Sequence, residues 1–195
     1  MKTNHDRSAA LDLALNQFWR HGYASTSLKD LERVTGMHPG SLYAAFGSKA
    51  QLFTMSMDRY CEWLDQGRKD ALANAETCLD GLADFIETVH PLSNAQAPLQ
   101  TCFMVKSALE LGDEDSENRT HLLDLLKAND KVFEDCFAQA IAAGELSPER
   151  DARKLARQLS ATLGGICFYA MRAESADHVV EMVSDLTHRL RAKAI

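Results

Sequence analysis

Tyr23-Ala-Ser-Thr-Ser-Leu-Lys-Asp-Leu-Glu-Arg-Val-Thr-Gly-Met-His-Pro-Gly-Ser-Leu-Tyr-Ala-Ala-Phe-Gly-Ser-Lys49 decides the fold of this 195-residue chain. Ser27 followed three residues later by Asp30 is close to a capping box, with hydroxyl and carboxylate each reaching a backbone N–H. Leu28, Leu31 and Val34 then fall three apart and give a short helix one apolar face. Gly36 stands where a helix exit needs a left-handed residue, and Met37 plugs the turn. His38 occupies the cap position of a second helix. Pro39 occupies its first turn, where a missing N–H costs nothing. Gly40 and Ser41 keep that turn small, so its backbone can approach a surface closely. Leu42 and Phe46, four apart, anchor the helix inward, and Tyr43 carries a polar tip. Helix, Gly-containing turn and helix is the helix-turn-helix pattern, whose second helix enters the major groove of DNA. A plain helical hairpin has the same periodicity, and periodicity alone leaves both open.

Before this stretch, a first helix is expected from about Asp6 to Arg20, with Ala10, Leu13, Ala14 and Phe18 buried and His21-Gly22 closing it. Ser48 caps a long fourth helix from Lys49 to about Ala73, with Leu52, Phe53, Met57, Tyr60 and Leu64 inward. Further helices are expected at Thr77–His90, stopped by Pro91, and at Cys102–Leu111 after a loop over 91–100. The acidic turn 112–117 leads into a helix reaching Ala143, ended by Gly144. Acids there complement the helix dipole and need no cation. Ser147-Pro148 starts the next helix, which runs to about Arg172. A last one, Asp177–Lys193, sets Val179, Val180, Met182, Val183, Leu186 and Leu190 on one side. Gly164-Gly165 inside a helix costs about 1 kcal/mol each against Ala, so close contact is expected to repay it. Two neighbouring helices with apolar stripes this wide point to self-association.

Composition narrows the function classes. Residues 1–62 hold seven Lys/Arg and six Asp/Glu, whereas residues 63–195 hold 14 and 22. The acid is therefore remote from the reading segment, where it weakens non-specific DNA binding without abolishing local phosphate contacts. The five cysteines, Cys61, Cys78, Cys102, Cys136 and Cys167, are odd in number and widely spaced, which argues against a disulfide framework or a zinc site. No phosphate loop and no nucleophile elbow is present. An enzyme is not expected, nor a metal or cofactor. No apolar run reaches the roughly 20 residues that span a bilayer. The start, Met-Lys-Thr-Asn-His-Asp-Arg, is polar and precedes an amphipathic helix. The expected location is the cytoplasm.

The segment from about Ala10 to Tyr60 resembles the DNA-binding domain of TetR-family transcriptional regulators. The resemblance rests on Ala14, Phe18, Gly22-Tyr23, Thr26-Ser27-Leu28-Lys29-Asp30-Leu31, Gly36-Met37, Gly40-Ser41-Leu42-Tyr43, Phe46, Ser48-Lys49 and Leu52-Phe53. His38 and Pro39 depart from the Ser and the basic or polar residue common there. The resemblance implies an all-α chain of about nine helices. A three-helix helix-turn-helix domain at residues 1–50, extending into the fourth helix, would precede an effector-binding and dimerisation domain at 51–195. It implies phosphate contacts by Thr26, Ser27, Tyr43 and Lys49, and a recognition-helix start at His38, Pro39, Gly40 and Ser41. The family places its dimer interface on the last two helices, here Gly164, Gly165, Val179, Val183 and Leu186. It implies a cavity in the middle helices, with Trp63, Phe85, Phe103, Phe133, Phe137, Phe168 and Tyr169 as candidate lining. The stretch Thr101–Leu111 with Arg119 is similar to the NemR-like, electrophile- or redox-responsive subgroup, in which a cysteine at the place of Cys102 is the sensor. A helix N-terminus and Lys106 one turn on would both favour the Cys102 thiolate. The function implied is a homodimeric repressor released from a palindromic double-stranded DNA operator by a small-molecule or electrophilic effector. The alternative is a helical ligand-binding or interaction module that never meets DNA.

Overall fold

The computed structural model describes residues 3–88, 101–173 and 175–195, with side chains from Arg7 onward. The expected burial of Val89, the stop at Pro91 and the loop over 91–100 lie outside the described residues. Those described form nine α-helices and no strand: α1 (Thr3–His21), α2 (Leu28–Thr35), α3 (Pro39–Phe46), α4 (Lys49–Asn74), α5 (Cys78–Thr88), α6 (Phe103–Glu110), α7 (Ser116–Ala142), α8 (Ala152–Ala170) and α9 (Ala176–Arg191). One 3-10 turn, Asp113–Asp115, precedes α7. The all-α expectation holds. Helix starts follow local capping. Ser48 Oγ accepts from Gln51 N at 3.1 Å, and Asp151 Oδ1 accepts from Lys154 N at 3.1 Å. The second of these corrects the expected start of α8. Ser147–Arg150 closes a separate turn, Arg150 N to Ser147 O at 3.0 Å, and the helix begins only where Asp151 caps it.

The chain divides into two compact units. One holds the chain up to Trp63 together with Lys106–Leu125. Its core joins Ala10, Ala14 and Phe18 of α1, Leu31 of α2, Leu42 and Phe46 of α3, and Leu52, Phe53, Met57 and Tyr60 of α4. Full burial of a side chain such as Leu31 contributes about 1.5–3 kcal/mol. Phe18 meets Phe53 edge-on at 5.1 Å. Leu13, expected inside, is 45% exposed. At about 100° per residue it falls beside the stripe set by Ala10, Ala14 and Phe18, not on it. Asn118 of α7 is buried and pairs with Thr54 of α4 at 2.8 Å, and His121 meets Asp58 at 2.6 Å.

The other unit holds Leu64–Val105 and Leu126–Ile195. Here α9 lies against α5 and α8; Val179, Val183, Leu186 and Leu190 of α9 are buried, as are Leu82 and Ile86 of α5 and Leu159 and Leu163 of α8. Val180 and Met182 are exposed, a correction with the same cause as Leu13: each flanks the buried stripe without lying on it. Arg191 donates to both Glu87 oxygens, at 2.7 and 2.8 Å, and to Asp84 at 2.7 Å. The Arg191 hydrogen bonds, and then Thr187, hold the Glu87 carboxyl below its ordinary range. A folded-state value below the unfolded one gives stability that is complete above the unfolded value and lost as pH falls through the folded one. Arg191→Met is therefore expected to lower the urea midpoint at pH 7. It should also flatten the loss of stability on acidification below about pH 4. The pair is partly exposed, so the cost is about 1 kcal/mol or less. Parallel pH curves for parent and variant would show that Glu87 draws nothing from Arg191.

Candidate nucleic-acid interface

The site is built from two capped turns. Ser27 and Asp30 close a reciprocal capping box: Ser27 Oγ accepts from Asp30 N at 3.2 Å and Asp30 Oδ2 accepts from Ser27 N at 3.0 Å. The Ser27 hydroxyl also donates to Asp30 Oδ2 at 2.6 Å. These bonds, and then Arg33, lower the Asp30 pKa. Gly36 ends α2 at φ 67°, a left-handed conformation that disfavours a Cβ. His38 then takes the cap position of α3 in extended conformation, yet its side chain makes no capping hydrogen bond. With Pro39 next, the first-turn amides of α3 belong to Gly40 and Ser41. They stand at the positive end of the helix, where anions are favoured.

The face of α3 is sharply divided. Leu42 and Phe46 are buried, while His38, Pro39, Gly40, Ser41, Tyr43 and Ala44 are exposed, Tyr43 at 46%. Arg7 secures the far end of the helix: its Nε donates to Ala45 O at 3.1 Å, and its guanidinium lies 5.2 Å from the Phe46 ring centre. Lys49 starts α4 with its ammonium 4.3 Å from the Tyr23 ring centre. Burial is the chief influence on Lys49 and lowers its pKa, against the opposing pull of Glu110 and Asp115. Burial, and then Asp115, raises that of Tyr23.

Several expected residues fall elsewhere. Thr26 is fully buried and its hydroxyl donates to Gly22 O at 2.6 Å. It holds the turn before α2 and presents no group to a phosphate. The Ser27 proton is engaged by Asp30, which leaves that hydroxyl acting as a cap. Trp63 and Phe168 are 47% and 55% exposed. Phe85, Phe103, Phe133 and Phe137 are buried, while Tyr169 is half-buried under the Arg172 guanidinium at 5.4 Å. Val179, Val183 and Leu186 are already covered by their own chain, so they are core and not an outer face. Gly164 and Gly165 differ: an added Cβ would meet nothing within 4 Å at either, so close contact inside the chain is not what repays them. Cys102 is buried with its side chain hydrogen-bonded to Cys167, and that bond, with burial, raises the Cys167 pKa. The Lys106 ammonium is engaged by Trp19 O at 2.7 Å and Arg20 O at 2.9 Å, so the help expected for a Cys102 thiolate is not there. Sequence reasoning missed Arg7 and Glu110. Neither belongs to a local period, and each acts on residues 38 or more positions away.

Residues 10–54 match the bacterial regulatory proteins of the tetR family, and residues 78–187 match the tetracyclin repressor-like C-terminal domain. The chain belongs to the TetR family. It is a transcriptional regulator with a helix-turn-helix domain, and the family is not one of enzymes. Among its relatives, the HTH-type transcriptional repressor ComR of Escherichia coli K12 is 29% identical over 178 residues, 91% of this chain and 85% of that protein. The HTH-type transcriptional regulator YezE of Bacillus subtilis is 28% identical over 184 residues, 91% and 92% of the two. A cysteine variant of the TetR-family regulator CifR, solved with 26-bp operator DNA, superposes with a TM-score of 0.82 at 26% identity, covering 93% and 94%. Reduced NemR of Escherichia coli gives 0.80 at 17% identity, covering 97% and 96%, a likeness of fold. Among the described residues no helix is long and apolar enough to cross a membrane.

Proposed function

We propose that this TetR-family chain is a cytoplasmic repressor that reads a palindromic operator as a homodimer and releases it when an effector binds. One observation carries the DNA contact: α3 buries only Leu42 and Phe46 and turns His38, Pro39, Gly40, Ser41 and Tyr43 to solvent. In this reading His38 and Ser41 meet base edges, and Tyr43, Lys49 and the Gly40 and Ser41 amides meet phosphates. The CifR variant bound to operator DNA supports the same use of this head. Self-association is supported by apolar groups left open on α8 and α9: Phe168, Met171, Val180 and Met182 are exposed, beside the open Gly164 and Gly165. A two-fold dimer then sets two recognition helices at half-sites about one helical turn apart or more. Residues 1–50, extending into α4, act as the reading domain; the effector and dimer roles fall within 51–195, of which residues up to Trp63 and Lys106–Leu125 share the reading head's compact unit. The effector is a small molecule taken up among the middle helices, where Phe103, Phe133 and Phe137 are buried and Tyr169 is half-buried. Cys102 is the candidate thiol if the effector is an electrophile, and Cys102→Ser is the control.

The test is a gel shift on the DNA upstream of the chain's own gene. The parent is expected to shift a palindrome, whereas a ligand-binding module that never meets DNA shifts nothing. Tyr43→Phe is expected to weaken binding a few-fold and evenly across sequences. Lys49→Ala should also lower the slope of log affinity against log salt by about 1. A salt slope equal to the parent's would remove Lys49 from the phosphates.

A further inference from the structure

Two side chains one turn apart on α6 hold the turn that feeds the helix-turn-helix. Lys106 donates to Trp19 O and Arg20 O, carbonyls in the last turn of α1, where a cation meets the negative end of the helix dipole. Glu110 Oε1 accepts from Ala24 N at 2.7 Å. Its other oxygen lies so close to Gly22 that an added Cβ would approach it to 2.6 Å, and Gly22 is left-handed at φ +87°. The backbone from Trp19 to Ala24 is thus gripped at both ends by charges of opposite sign, each matched to the group it meets. The same carboxylate, with Asp115, also favours the charged form of Lys49 at the start of α4. Lys106–Leu125 belongs to the same compact unit as the reading head, although residues 64–105 lie between the two segments in sequence.

We propose that Lys106 and Glu110 are positioning residues for DNA binding: without touching DNA, they fix the pose in which α2 and α3 are offered to the duplex. The inference rests on the DNA-reading function. A mere staple would alter stability alone, whereas a positioning pair alters the affinity of molecules that are folded.

The probe is the duplex that the parent selects from a random-sequence pool. Affinity is referred to the active fraction found by stoichiometric titration, at several salt concentrations, alongside hydrogen exchange at the Ala24 amide. Glu110→Ala is expected to speed that exchange and weaken binding by roughly fivefold or more, with the parent's salt slope. Glu110→Gln retains an acceptor for Ala24 N and is expected to recover most of the affinity. Lys106→Met should weaken binding as Glu110→Ala does, and it decides the matter if Glu110→Ala does not fold. Parent-like affinity in Glu110→Ala and Lys106→Met, despite faster Ala24 exchange, overturns the proposal. So does a salt slope reduced by about 1 in Lys106→Met, the mark of a direct phosphate contact. A parent that selects no duplex refutes the DNA-reading function itself, an outcome told apart by the parent control.

Discussion

Gly40→Glu is expected to fold as the parent does and to lose roughly 10- to 100-fold in affinity for its DNA site. Folding is spared because Gly40 is exposed, is not left-handed, and offers open space around an added Cβ. A carboxylate in the first turn of α3 also suits the positive end of the helix, so the melting temperature should hold or rise slightly. The same carboxylate is repelled by the duplex and fills the space that lets the first turn approach it. Thermal melting and fluorescence anisotropy on labelled duplex separate the two effects. Full affinity in a folded Gly40→Glu chain would mean that this turn does not face DNA.

Phe18→Ala is expected to cost about 3–5 kcal/mol, the largest stability effect foreseen in the reading head. Phe18 is fully buried, edge-on to Phe53 and 6.1 Å from Tyr23. Removing it opens a cavity where α1 and α4 meet. Total stabilities of 5–15 kcal/mol are ordinary, so the head would lose much of its margin and DNA binding would fail with it. Urea unfolding followed by circular dichroism measures the loss. A change below about 1 kcal/mol would show that the ring is replaceable, contrary to its burial. The two variants fail in opposite ways: one keeps the fold and removes the contact, the other keeps the contact residues and weakens the fold that presents them.

Much of the reading head was legible because its determinants are local. The Ser27–Asp30 box, the left-handed Gly36, Pro39 in the first turn and the Ser48 cap are settled within three or four residues. The inward Leu42 and Phe46 follow from helical periodicity. Thr26 was misread because a hydroxyl gives no sign in sequence of which way it points. Its burial depends on how the turn after α1 folds over it. Leu13, Val180 and Met182 were misread because an apolar residue beside a stripe reads like one within it. Val179, Val183 and Leu186 were assigned to a partner, since sequence does not say that α5 and α8 already cover them.

Residue order alone is enough for most of the helices, for the caps of the reading head, for the division of α3 into an inward and an outward face, and for the family. These depend on hydrogen bonds and side-chain spacing within one or two turns, which residue order alone sets. It takes the folded chain to join Lys106–Leu125 to the reading head, to set Lys106 on the end of α1 and not beside Cys102, and to bring Glu110 to Ala24. Those contacts span 86 or 87 residues, and no periodic signal connects positions so far apart; the folded backbone brings them together.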